Sequence, residues 1–491
     1  MMNITKQMWA VAWVVVTLGF GGGCAGYAGK VESMRFALQA GQKDAALGYI
    51  NESLDLKESD QYPVDVDSET SLLLLERASV KQANNMFEES AYDFRIADNN
   101  MELLDVKNKT VGEISKWIFS GDSGVYRAPP HEKLLINALN MLNYLALGDL
   151  ESARVEARRF DLMQQYLTDG TESDLDSLGI LGFGDYLAGF TFEMSKRYEQ
   201  ALQHYSDALD VNEYPSLSSV LPQLAACTPY RNDRLNQRLG PLQPASIASS
   251  AATSAAGESD TGADDTAAPV AAAAPCTYPD RETGTVLVVS SVGLAPHKKA
   301  VRLPVGAAVV IAGAYLAPNQ MAQANDFAVK GLLKWVNFAE LVQSPSQYTT
   351  VSVQVDQSPI SSEYGDNVSQ VVKDSFDKIK GKLIAAAIVR MIARAVAGAA
   401  TNQAISSGSG KDGLGLLAQV LVEGAMTAAD TPDTRSWNAL PASIFFSRVE
   451  VPAGNHTVAV QFSGPGGNKV IKKEVTVRPG GFAVLPIHQL R

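Results

Sequence analysis

Four times within residues 30–215 the chain sets a small residue on the stripe that helical spacing would bury: Ala46, Ser90, Ala153 and Ala201. The fullest copy, MSKRYEQALQHYSDAL, places Tyr198, Ala201, Tyr205 and Ala208 three or four residues apart. Gly189 and Phe192 lie just upstream, and Pro215 stands where the second helix should stop. Gly and Ala let two helix backbones approach, and an aromatic ring fills the space beside the crossing, so the pattern calls for antiparallel helix pairs in contact. YLALGDLESARVEARRF repeats it with Tyr144, Leu150, Ala153, Ala157 and Phe160 around a Gly148-Asp149 turn. NNMFEESAYDFRIADNN (Phe87, Ser90, Phe94, Ala97) and LQAGQKDAALGYINESL (Gly41, Ala46, Ile50, Ser53) are weaker copies.

These positions match those of a tetratricopeptide repeat. The anchors are spaced 44, 63 and 48 residues apart, whereas the usual period is about 34, so insertions separate the units; one is the acidic LTDGTESDLDSLG. The expectation for residues 24–239 is a tetratricopeptide-like α-solenoid, whose concave face holds extended peptides or partner helices. Arg154, Arg158 and Arg159, with Glu156 among them, read as a charged helix face with ion pairs. They are also candidates for docking an anion or a peptide carboxylate. His131-Glu132 is not a metal motif, because HExxH would need His where Leu135 stands. It reads as an acid near the start of a helix.

Composition changes beyond residue 239. Residues 240–283 are dominated by Ala, Ser, Thr, Pro and Gly, too little apolar surface to order themselves, and read as a flexible linker. Residues 284–491 read as a mixed domain. TVLVVSS, AVRLPV, AAVVIAGAYL and YTTVSVQVD have the two-residue period of strands, with a turn at Gly293 and Pro296 between the first two. Residues 366–405 return to helix, strongly apolar but carrying Arg390 and Arg394. Burying two arginines in a bilayer is costly, so an Ala/Gly-rich helical hairpin with GLGLLAQVLVEGAM (413–426) is the better expectation than a membrane span. The chain ends in alternating segments broken by PAGN, SGPGGN and RPGG, which implies an antiparallel β-sheet or small sandwich. Just before them Asp433, Arg435, Trp437 and Pro441 cluster. Trp437 is either a partner anchor or a packing residue. The fold class is therefore multidomain α+β.

The N-terminus carries an address. Lys6 precedes an apolar run from Met8 to Leu18, then small residues. That run is too short to span a bilayer and fits a secretory signal peptide over residues 1–23. Cys24 follows Gly22 and Gly23 and resembles the lipid-modified cysteine of bacterial lipoproteins, although Gly21 stands where their lipobox has Leu. Acyl chains there would anchor the protein to a membrane. Ala25 rather than Asp after the cysteine implies, by the same resemblance, the outer membrane. With Cys24 lipidated, Cys227 and Cys276 remain as a pair, and an oxidising compartment favours a disulfide between them.

The chain has 491 residues, is 46% hydrophobic and 19% charged, and carries a net charge of -12. That excludes a wholly disordered chain and a polytopic membrane protein, and the net charge argues against nonspecific nucleic-acid binding by the molecule as a whole. The charge is uneven: residues 1–283 hold 22 Lys and Arg against 40 Asp and Glu, and residues 284–491 hold 19 against 13. The five histidines fall in unrelated contexts. Neither nucleophile motif nor metal spacing accompanies them, so no catalytic residue, metal or cofactor is expected.

PPHEKLLIN, LNYLALGD, ARVEARR, GTVLVVSSVGLAPHKKAVRLPV and DTRSWNALPASIFFSRVEVPAGNHTV together resemble a family of uncharacterised bacterial envelope lipoproteins. Its members pair a tetratricopeptide-like N-terminal region with a C-terminal β region. The resemblance spans most of residues 80–470 and supplies no activity or site residue. The expected function is that of an outer-membrane lipoprotein facing the periplasm, a non-catalytic scaffold that binds other envelope proteins. Alternatives are a structural subunit that homo-oligomerises through residues 383–426 and, further off, a peptidoglycan hydrolase.

Overall fold

The computed structural model describes residues 26–103, 125–168, 182–240, 276, 278, 282–331, 333–406 and 432–491. Helices fill the first part: α1 (Tyr27–Ala40), α2 (Lys43–Ser53), α3 (Ser68–Ala83), α4 (Phe87–Asn100), α5 (Pro130–Leu147), α6 (Leu150–Thr168), α7 (Gly182–Met194), α8 (Tyr198–Val211), α9 (Leu217–Ala225) and α10 (Asp233–Leu239). A short parallel bridge, β1 (Glu102–Leu103) with β2 (Arg127–Ala128), precedes α5. Local chemistry sets the boundaries. The Asp67 carboxylate caps α3 by accepting the Thr70 N–H at 2.7 Å. Pro130 opens α5, where a missing N–H costs nothing. Gly148 takes the left-handed conformation that closes α5 and turns the chain into α6.

Consecutive helices pack as pairs, α1 with α2, α3 with α4, α5 with α6 and α7 with α8, and each pair abuts the next. The small residues named above make the contacts: Ala46, Ser90, Ala153, Ala157, Ala201 and Ala208 are all fully buried.

In the C-terminal part, β3 (Thr283–Leu294) is the middle of the molecule. Its neighbours are β9 (Pro441–Pro452), antiparallel, and β12 (Phe482–Gln489), while β8 (Glu363–Asp366) flanks β9. The expected sheet was antiparallel, but β12 runs parallel to β3. A strand buried on both faces needs no polar alternation, and TVLVVSSV in β3 has none. Its odd-numbered residues Leu287 and Val289 face the helices. Val286, Val288 and Val292 face a second sheet, ordered β11 (Gly467–Val477), β10 (Gly454–Gly464), β6 (Thr350–Val355) and β7 (Ser358–Ile360). Helices, central sheet and outer sheet thus form three layers. The apolar core beneath the helices runs without a break into the central sheet: Phe183 and Tyr186 of α7 stack on Phe446 of β9.

A fourth unit has its own core. β4 (His297–Pro304) pairs with β5 (Trp335–Val342), not with β3. Between them run α11 (Val305–Ala312), a 3₁₀ turn (Gly313–Tyr315) and α12 (Pro318–Val329). The long α13 (Val368–Ser406) packs on β5, α11, the 3₁₀ turn and α12. The segment AAVVIAGAYL, expected as a strand, is therefore helical. Pro304 provides the non-helical entry, and Ala308 and Ala312, one turn apart, are the small residues buried in the core shared with α13. Residues 413–426, the expected second arm of a hairpin with α13, lie outside the described residues, as do most of the linker and residues 1–25 with Cys24.

Candidate functional site

Residues 432–440 of the chain pack against α1, α3, α4 and α5 of the helical array. Glu76 of α3 is fully buried. One carboxylate oxygen accepts the backbone N–H of Asn438 at 2.6 Å and the Tyr27 hydroxyl at 2.6 Å; the other accepts the backbone N–H of Ala439 at 2.7 Å. Glu132 of α5 accepts the backbone N–H of Trp437 at 3.2 Å and the Tyr126 hydroxyl at 2.6 Å. Two carboxylates thus hold three successive amides, Trp437 to Ala439, where the segment turns before β9. Burial pushes the Glu76 carboxyl up to about 7, against the pull of its hydrogen bonds, and burial likewise raises that of Glu132.

Trp437 is the anchor of this segment and is 1% exposed. Its indole N–H donates to the Ser79 hydroxyl at 3.0 Å, and its ring meets Phe94 edge-on at 5.8 Å. It is a packing residue within the chain and presents no surface to a partner. Asp433 and Arg435 form the compact pair that their spacing implied: two guanidinium nitrogens bond the carboxylate at 2.8 and 2.7 Å, and the guanidinium lies 5.6 Å over the Tyr126 ring. Lys298 of β4 donates to the Arg435 carbonyl at 3.1 Å, so the segment also ties the fourth unit to the helices.

The three candidate arginines of α6 divide. Arg154 donates to the Ser195 hydroxyl at 3.3 Å, and Arg159 pairs with the buried Glu156 at 3.3 Å. Glu156 also takes amide hydrogens from Asn137 and Asn140 of α5, which makes it a clamp between the two helices of a pair. Arg158 is exposed. Val155, Arg158, Leu162 and Tyr166 fall on one face of α6 at helical spacing, and all four are exposed.

One metal-like constellation was not singled out from the sequence. Asp185 of α7 and His204 and Asp207 of α8 offer three ligand atoms within 4.8 Å of one another. His204 and Asp207 share a helix face at i, i+3, a detectable signal, but Asp185 comes from the preceding helix. Hydrogen bonds already account for the buried members: His204 Nδ1 pairs with one Asp185 oxygen at 3.0 Å, and Gln164 donates to the other at 2.8 Å. Burial would lower the His204 pKa, but the hydrogen bond and charge of Asp185 outweigh it and raise it. Asp207 at the rim is pushed up to about 6, by burial and then by the Asp185 charge. The set behaves as a histidine–aspartate pair.

Comparison with known proteins found no matching family model, no matching curated protein and no matching solved structure. The site is therefore interpreted from its own chemistry. Cys227, which follows α9, and Cys276 are placed at disulfide-bonding distance, Cα atoms 4.9 Å apart, as the pairing expected from the cysteine count requires. Nearby, Arg448 of β9 enters the helices and bonds the buried Glu193 of α7, with the Tyr205 hydroxyl 3.0 Å from the same guanidinium. That ion pair has every partner inside the chain and holds the sheet to the helices.

Proposed function

We propose that the chain is a non-catalytic scaffold of the bacterial envelope, tethered to the outer membrane by lipid on Cys24 and facing the periplasm. Its tetratricopeptide-like helix pairs hold a partner protein on their outer surface. What carries the reading is the outward face of α6: Leu162 is 63% exposed beside Val155, Tyr166 and the cation of Arg158. Apolar anchors flanked by an arginine are the residue types that dominate protein interfaces. The packing of residues 432–440 on α3 and α5 supports the same reading, because it already covers the Glu76 and Glu132 carboxylates. A partner of matching chemistry is an amphipathic helix with an acidic flank.

A photo-crosslinking residue at Leu162 in intact cells tests this. The expected result is an adduct with a different envelope protein, lost on Arg158→Glu and not formed from Tyr49 on α2. Adducts formed only with a second copy would replace the scaffold with a self-assembling subunit. Labelling with a palmitate analogue tests the tether: Cys24→Ser should abolish incorporation, and equal labelling of both chains would remove lipidation.

A further inference from the structure

From Val305 to Pro318 the sequence VGAAVVIAGAYLAP contains no charged residue, and its only polar group is the Tyr315 hydroxyl. Yet this stretch is not interior. Ala308, Ala312 and Leu316 turn into the core against α13, and the Tyr315 ring lies over Gly381 of α13, while Gly306, Ala307, Val310, Ile311 and Ala314 face outward. Val310 is 83% exposed, and Val329 at the end of α12 is 89% exposed. A surface helix normally puts polar residues on its outer side, so a helix apolar all round has a second apolar environment to meet.

The surroundings identify that environment. The backbone N–H of Val305 donates to the Lys334 carbonyl at 3.1 Å, which sets Lys334 and Trp335 beside the start of α11. Trp335 is 45% exposed. It lies opposite Pro304 in the β4–β5 ladder, so Arg302 shares its face, away from the core residues Val336 and Phe338. An indole and long cations beside an apolar patch are residues that sit at a lipid headgroup level. The charge agrees. Residues 297–342 and 368–406, which build this unit, hold 11 Lys and Arg against 4 Asp and Glu, whereas the rest of the chain holds 30 against 49. Among the described residues no helix is long and apolar enough to cross a membrane, so contact would be from the surface.

We infer that the outward face of α11, rimmed by Trp335, Lys334 and Arg302, docks on an anionic bilayer surface. This contact is independent of any acyl chain on Cys24. A lipid tether at the N-terminus holds the chain to a bilayer without fixing which face meets it, so the face and the tether together would orient the molecule.

The test uses the full chain carrying Cys24→Ser and a polarity-sensitive fluorophore on Val310→Cys. With vesicles containing phosphatidylglycerol, emission should shift to the blue and be quenched by brominated lipid. The same fluorophore on Tyr49→Cys should do neither, which separates the patch from any pull by the apolar leader. Arg302→Glu with Lys334→Glu should weaken the response at least about ten-fold. Three results overturn the proposal: no lipid quenching at position 310, equal binding to pure phosphatidylcholine, or a blue shift without lipid. If that last shift grows with protein concentration, a second copy covers the face; if it persists at every dilution, the chain's own residues do.

Discussion

His488 of β12 shows how a single buried side chain sets a pH limit. Burial pushes its pKa down to about 3, with the Lys43 charge adding to the effect, and its Nε2 has no hydrogen-bond partner. Unfolded, the ring titrates near 6.5. Between those values the unfolded chain takes up a proton that the folded chain refuses. Stability complete above about pH 6.5 is therefore lost as pH falls, by up to about 1.4 kcal/mol per pH unit. Glu76 and Asp366, both pushed up to about 7 by burial, act in the opposite sense: the folded chain holds their protons longer. The two effects separate in a variant. His488→Leu keeps the apolar bulk and removes the ring, so its urea midpoint should equal or exceed that of the parent at about pH 7.5. The difference in unfolding free energy should widen by about 2–3 kcal/mol at about pH 4.5, and a constant difference would remove His488 from the acid response. Residue roles of this kind were only partly legible in the sequence. Trp437 stood out by type and context, but Glu76 did not, because the amides it binds lie more than 360 positions away.

At the scale of elements, legibility followed packing. The helix pairs were readable because close crossing demands small residues at fixed spacing. Gly189 of α7 meets that demand directly: a Cβ there would sit 2.5 Å from Cδ1 of Tyr205, whose hydroxyl is tied to Glu193 and Arg448. Gly48 of α2 is the control, a helical glycine with nothing within 4 Å of the same point. Helix propensity alone favours Ala at both sites by about 1 kcal/mol. Gly48→Ala should therefore raise stability by about 0.5–1 kcal/mol, while Gly189→Ala should lower it by about 1–3 kcal/mol through overpacking. Chemical denaturation of both variants decides the matter; a stabilising Gly189→Ala would mean that α7 and α8 can move apart at no cost. The misread element was α11. Val and Ile there look like strand residues, and only tertiary contact with α13 makes the segment a helix, which a local pattern cannot report. The parallel placement of β12 was hidden for the same reason: alternation specifies which face a residue takes, not which neighbour the strand finds.

The whole molecule is tied together at more points than its change of composition near residue 240 implies. The Arg448–Glu193 pair, the Phe183 and Tyr186 rings on Phe446, and the docked 432–440 segment all join helices to sheet through one apolar core. Folding of the two parts should then be a single event, with the fourth unit, whose core is separate, free to open at lower cost. Trp437→Ala probes this, since it empties a fully buried site between α3, α4 and the segment leading into β9, at a cost of about 3–5 kcal/mol. If the core acts as one, hydrogen exchange will show amides of α3 and of β3 losing the same protection in the variant. If α3 loses protection and β3 keeps it, the helices and the sheet are separate folding units, and the shared core is contact without cooperativity.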